Sequence, residues 1–288
     1  MLNNGTMKVG KKDSHASFAR APFYVALQKA LGERGMNLDG VCPPEGMASR
    51  RVLEEYGAMF VAGRSVVVPP VCIFSGEAEV TEFQESAGIH AFAFSETTIE
   101  LQPAALKSLL AAREEASDAG LQISPRGGAE AARRSYTDTV RLWESRLVPA
   151  LDYWYERGRL DTEQAAHVRE LPLRSQISAV LELEAQGIFF SKDFSKTILQ
   201  SVAAPGASQH LSLLAFDVAE FADASVRLVL ARHGWFQTVL SDLPHFTFLG
   251  LAKDELPARG LRRIEANEQV FWIPNVVRVT PQTLGCEK

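Results

Sequence analysis

The amino-acid sequence predicts an α+β protein: a small antiparallel sheet with flanking helices, preceded by an N-terminal α+β region. Three observations predict it. Several segments carry apolar residues at helical spacing between capping and stop residues. After Gly187 the pattern changes to short apolar or aromatic runs, IFFSKDF, LSLLAFDV, GWFQTVL and HFTFLG, separated by Pro, Gly, Ser and Asp, which suits short strands. No internal repeat or low-complexity stretch imposes another organisation. With 288 residues, 46% hydrophobic and 23% charged, the chain can bury one large core or a catalytic domain with a smaller companion.

Residues 1–20 read as a polar lead-in. Over 22–35, Phe23, Val25, Ala26, Leu27, Ala30 and Leu31 recur at helical spacing, and Gly35 is a natural stop. Residues 47–56 predict a second helix ending at Gly57. MFVAG, RSVVVPPVCIF and IHAFAF then read as β-rich runs. We assign 1–95 to an N-terminal region and 96–288 to a second one. PAALKSLLAAREEASDAG predicts a helix with Leu106, Leu109, Leu110 and Ala112 on one face, followed by a short strand, LQISP, and a loop, RGGAE. A helix over 136–147 is expected to break near Pro149 and resume over 150–157. Asp161 caps the next helix, with Glu163 and Gln164 in its first turn, and 176–186 forms one more amphipathic helix.

Several function classes are excluded. The net charge is −5, with no basic stripe to meet a phosphate backbone, so nucleic acid is not an expected partner. No apolar stretch reaches the length of a transmembrane span. The polar start lacks the apolar core of a signal peptide, which fits a cytoplasmic protein or a mature form without its leader. The three cysteines, Cys42, Cys72 and Cys286, include no close pair of the kind that binds zinc. Cys42 and Cys72 each flank a proline pair and form either one disulfide or two free thiols.

The chemistry gathers in two segments, PGASQHLSLLAFD (205–217) and SDLPHFTFLG (241–250). A hydrolytic zinc site needs three protein ligands, an open position, and a separate carboxylate to move the proton of water. His210, Asp217 and His245 supply the ligands, and Asp242 the spare carboxylate. His210 and Asp217 are an odd number of positions apart and would face opposite ways on one strand, so we expect His210 in the loop and Asp217 in the strand. Asp242 and His245 are one tight turn apart.

The segment Pro205-Gly206-x-Ser208-x-His210, followed by Ala215-x-Asp217, resembles the PG-x-S-x-H-x-x-G-x-A-x-D signature of the D-alanyl-D-alanine carboxypeptidase and dipeptidase family of zinc metallopeptidases. GWFQTVLSDLPHFTFLG resembles the family's second block, where an acid stands three residues before the last histidine. Arg134-Ser135-Tyr136 resembles the R-S-Y core of a third. The resemblance covers roughly residues 101–250. It implies the hedgehog/DD-peptidase-like fold, with a helical insertion at about 142–200, and Zn²⁺ held by His210, Asp217 and His245. It implies Asp242 as base, Arg134 or its rival Arg126 as the arginine that grips the substrate, and a peptidoglycan peptide as substrate. Such a substrate places the protein in the periplasm or outside the cell, despite the missing leader. Leu213 replaces a family glycine, Pro244 a tryptophan, and Thr139 a glutamine. Leu213 and Pro244 motivate a second reading, a wall-binding or partner-binding module with a structural zinc and an obstructed cleft. A third reading is an endopeptidase of the stem peptide.

Among the remaining candidates, Ser208 either binds substrate or satisfies its own loop. His233 reads as a helix-terminal cation, and His15, His90 and His167 as structural. Tyr153, Trp154 and Tyr155 read as helix packing, and Lys192 and Lys196 as solvated charges within reach of a substrate carboxylate. No G-x-S-x-G or H-E-x-x-H motif offers another scheme.

Overall fold

A computed structural model describes residues 20–43, 46–94 and 96–276. The lead-in over 1–19, His15 and Cys286 lie outside the described residues. Helix α1 (Pro22–Gly32) begins on a proline whose fixed φ and missing N–H suit a first turn, and the chain turns away at Gly35, at φ +72°. A single turn, α2 (Leu38–Val41), precedes α3 (Met47–Tyr56), which covers the expected residues and stops at Gly57. Next come α4 (Glu77–Ala87) and a hairpin of β1 (His90–Phe94) and β2 (Thr97–Leu101). Helices α5 (Pro103–Asp118), α6 (Tyr136–Glu156), α7 (Thr162–Glu170) and α8 (Leu173–Glu184) follow. Reciprocal capping boxes start two of them, Ser135 with Asp138 for α6 and Asp161 with Gln164 for α7.

Strands β3 (Ala215–Asp217), β4 (Trp235–Phe236) and β5 (His245–Phe248) make an antiparallel sheet in the order β3-β5-β4, and α9 (Ala224–Arg232) joins β3 to β4. A hairpin of β6 (Leu261–Ala266) and β7 (Gln269–Pro274) completes a mixed α and β architecture with small antiparallel sheets. One hydrophobic cluster, from Ala21 to Trp272, includes residues on both sides of position 95, and that position itself falls between β1 and β2.

Several expected strands are corrected. MFVAG is a 3-10 turn (Gly57–Val61), buried all round. A short apolar run buried on every side carries no alternation to separate strand from helix. RSVVVPPVCIF is irregular because Pro69 and Pro70 donate nothing to a ladder. The Gln102 side chain serves its backbone instead, accepting from Val67 N at 2.9 Å and donating to Val67 O at 2.7 Å. The same run is held by a Cys42–Cys72 disulfide, which decides between the two states of those thiols. LQISP contributes one isolated bridge, Pro125 to Val218, since a proline cannot extend the pairing. IFFSKDF forms turns. The expected break at Pro149 is absent. Helix α6 runs through it, with Trp143, Leu147, Ala150 and Leu151 buried on both sides. Burial of that continuous face outweighs the roughly 3 kcal/mol that an internal proline costs.

Candidate metal centre

The register of the three-stranded sheet builds most of the site. Asp217 and His245 are direct cross-strand partners, so their side chains leave the same face side by side. Alternation sends Phe216, Phe246 and Phe248 to the opposite face, where they are buried; Phe216 meets Trp235 edge-on at 6.3 Å between ring centroids. His210 arrives from a 3-10 turn (Gln209–Ser212) just before β3, as its odd spacing from Asp217 required. Two left-handed residues bracket that turn. Gly206 lies at φ +78° with space for no side chain, since a Cβ would stand 2.1 Å from Phe74 O. Leu213 lies at φ +58°, a conformation that favours glycine.

Three atoms converge. His210 Nε2 is 3.1 Å from His245 Nδ1 and 3.3 Å from Asp217 Oδ1, and His245 Nδ1 is 3.2 Å from the same oxygen. The far side of each ring sets its tautomer. His210 Nδ1 lies 3.1 Å from Ala132 O, and His245 Nε2 lies 2.8 Å from Gln209 Oε1. Both oxygens only accept, so Nδ1 of His210 and Nε2 of His245 carry the protons. Gln209 is itself fixed, its amide nitrogen donating to Tyr56 O at 2.8 Å and its oxygen also accepting from Thr247 Oγ1. Two imidazole lone pairs and a carboxylate oxygen therefore face one another with no proton among them. Such a set has the donor atoms to hold a cation. A tetrahedral zinc with bonds of about 2.0–2.1 Å has ligand–ligand edges of about 3.4 Å, close to the observed triangle.

Electrostatics agrees with a neutral His210 ring. Burial first, then the Arg134 guanidinium, lowers the His210 pKa to about 4, against the pull of Asp217. Burial alone would raise the Asp217 carboxyl, and a proton on the facing nitrogen of His210 or His245 would instead hold it well below the usual carboxylate range. Arg134 Nη2 donates to Asp217 Oδ2 at 2.9 Å, leaving Oδ1 for the centre.

A cleft of about 260 Å³ opens onto His210 and His245, and Asp242, Arg134 and Ser208 stand in its wall. Burial raises the Asp242 carboxyl above its ordinary pKa, with Asp217 adding to the rise and His245, Arg134 and Arg126 opposing it. Arg126 is not in that wall. It is exposed, its guanidinium lies 5.0 Å from the Phe221 ring centroid, and its backbone N–H donates to Asp217 O. Ser208 is buried, and its hydroxyl accepts from His210 N at 3.4 Å, the local role open to a loop serine. Leu213 is fully buried, and neither it nor Pro244 borders the cleft. Thr139 does, while accepting from Gly206 N at 3.2 Å.

His233 is the C-cap of α9 and its Nε2 lies 2.7 Å from Glu115, while His90 and His167 are exposed. Tyr153 stacks on Phe194 at 4.1 Å between centroids and Trp154 donates to Phe189 O at 2.7 Å, whereas Tyr155 is exposed. Sequence reasoning missed Gln209, the Ala132 carbonyl, Tyr56 and Arg146. Gln209 adjoins His210 and had a visible position; the others come from distant segments and had none. Arg146 enters the cleft from α6, its Nε donating to Ser201 Oγ at 2.9 Å, with no carboxylate partner among the described residues. Comparison with protein-family models, curated proteins and solved structures found no match.

Proposed function

We propose that this protein is a zinc-dependent peptidase that hydrolyses an amide bond in peptidoglycan peptides, of the D-alanyl-D-alanine carboxypeptidase type. The observation that carries the reading is the convergence of His210 Nε2, His245 Nδ1 and Asp217 Oδ1 within 3.3 Å, with all their other polar contacts directed elsewhere. Two imidazoles and a carboxylate suit zinc, which would polarise the scissile carbonyl and acidify water. Asp242 shares the cleft without belonging to the triad. Its raised pKa makes it a better base than an ordinary carboxylate, fitted to take the proton of water and return it to the departing amine. Arg134 positions Asp217, and Arg146 is the guanidinium left to meet a substrate carboxylate.

The motif resemblance directs the reading to D-alanine peptides and to the hedgehog/DD-peptidase-like fold. The left-handed backbone at Gly206 and Leu213 supports it, because both positions are glycines in the signature. A wall substrate implies a periplasmic or extracellular setting, and a disulfide persists in such compartments. No described helix is long and apolar enough to cross a membrane.

The zinc-loaded protein incubated with a short peptide ending in D-alanyl-D-alanine should release free D-alanine, measured by amino-acid analysis. Cleavage without free D-alanine would instead point to an endopeptidase. Peptide binding with no product would point to the wall-binding module, although Leu213 and Pro244, which motivated it, stand clear of the cleft.

A further inference from the structure

The metal cleft adjoins a second cavity. Gln200 and Ser241 line both, so the two share a wall. The second cavity, about 560 Å³, is bordered by Arg51, Glu54, Glu55, Lys196 and Arg262. Its charges are not balanced internally. Arg51 is engaged with both acids, at 3.0 Å to Glu55 and 3.9 Å to Glu54. Lys196 and Arg262 have no carboxylate within ion-pair distance among the described residues. Arg262 goes further: its Nε is buried and has no hydrogen-bond partner among the described residues. A buried guanidinium N–H without an acceptor is costly, and charge-assisted bonds to a carboxylate are among the strongest that satisfy one. Arg262 sits on β6 directly opposite Ile273 of β7, which lines the same cavity.

We propose that this second cavity is an anion subsite, in which Arg262 and Lys196 hold a carboxylate of the same elongated substrate whose scissile end lies at the metal. The substrate is then an acidic peptide spanning both cavities, with a free carboxylate upstream of the cleaved bond. The inference rests on the peptidase reading for which molecule enters, and for its charge only on cations that have no carboxylate partner among the described residues.

Two peptides ending in D-alanyl-D-alanine test it, identical except that one upstream side chain is a free carboxylate in the first and its amide in the second. Binding to the zinc-loaded protein is measured by calorimetry, and D-alanine release is followed separately. The wild type should bind the acid peptide roughly tenfold more tightly than the amide. Arg262→Gln with Lys196→Gln should abolish that preference while keeping zinc content and amide-peptide affinity. Equal affinities in the wild type, or a preference that survives the double substitution, would overturn the subsite. Selective binding of the acid peptide without any D-alanine release would keep the subsite and dismiss the hydrolytic reading.

Discussion

At the scale of single residues, the site depends on tautomers fixed from behind. Gln209 is the clearest case, since its oxygen takes the His245 Nε2 proton while its nitrogen is held by Tyr56 O. Gln209→Leu should weaken zinc affinity about 10–100-fold with all three ligands intact, as loss of such an outer partner generally does; competition with a chromophoric chelator measures it. Asp242→Asn should keep zinc and lose hydrolysis. In the wild type, kcat/KM should fall as pH drops through the Asp242 pKa, because only the ionised form accepts a proton. That limb should lie above the ordinary carboxylate range, since burial raises the pKa. The grouping of the two histidines with Asp217 was legible in the sequence because ligand chemistry restricts residue type. Tautomer control was not, because Ala132 O belongs to the backbone and Tyr56 O is remote in sequence.

At the scale of elements, legibility followed periodicity and capping. Helix α3 and the Asp161 cap of α7 match the sequence reading because amphipathic spacing and a capping box are local signals. MFVAG and Pro149 misled because burial on all sides, or along one long face, is decided by tertiary packing. The short 205–217 segment shows what local conformation does for chemistry. Gly206→Ala would drive a methyl into Phe74 O and force a left-handed alanine, so the turn that presents His210 must shift. We expect lower thermal stability and at least a tenfold loss of zinc affinity in that variant. By contrast, Ser135→Ala removes only the α6 cap and should cost about 1 kcal/mol in denaturant unfolding, with zinc binding unchanged.

At the scale of the whole molecule, the described residues before position 95 and those after it share a core and a site. Phe74 N donates to Gly206 O at 2.9 Å, Gly63 N donates to Leu249 O at 2.7 Å, and Tyr56 carries Gln209. The Cys42–Cys72 disulfide closes a loop of this N-terminal part, at a sequence separation of 30. Replacing both by serine should lower stability by about 2–4 kcal/mol, read from chemical unfolding under oxidising conditions. These long-range supports had no sequence signature, because pairing between distant segments leaves no local pattern. The account turns on a cation that two imidazoles and a carboxylate would surround. Calorimetric titration of the metal-stripped protein with Zn²⁺ measures that directly. One equivalent should bind tightly to the wild type, and His210→Ala, Asp217→Ala and His245→Ala should each abolish it. A wild type that takes up no zinc, or a His245→Ala variant that binds it equally well, would contradict the account.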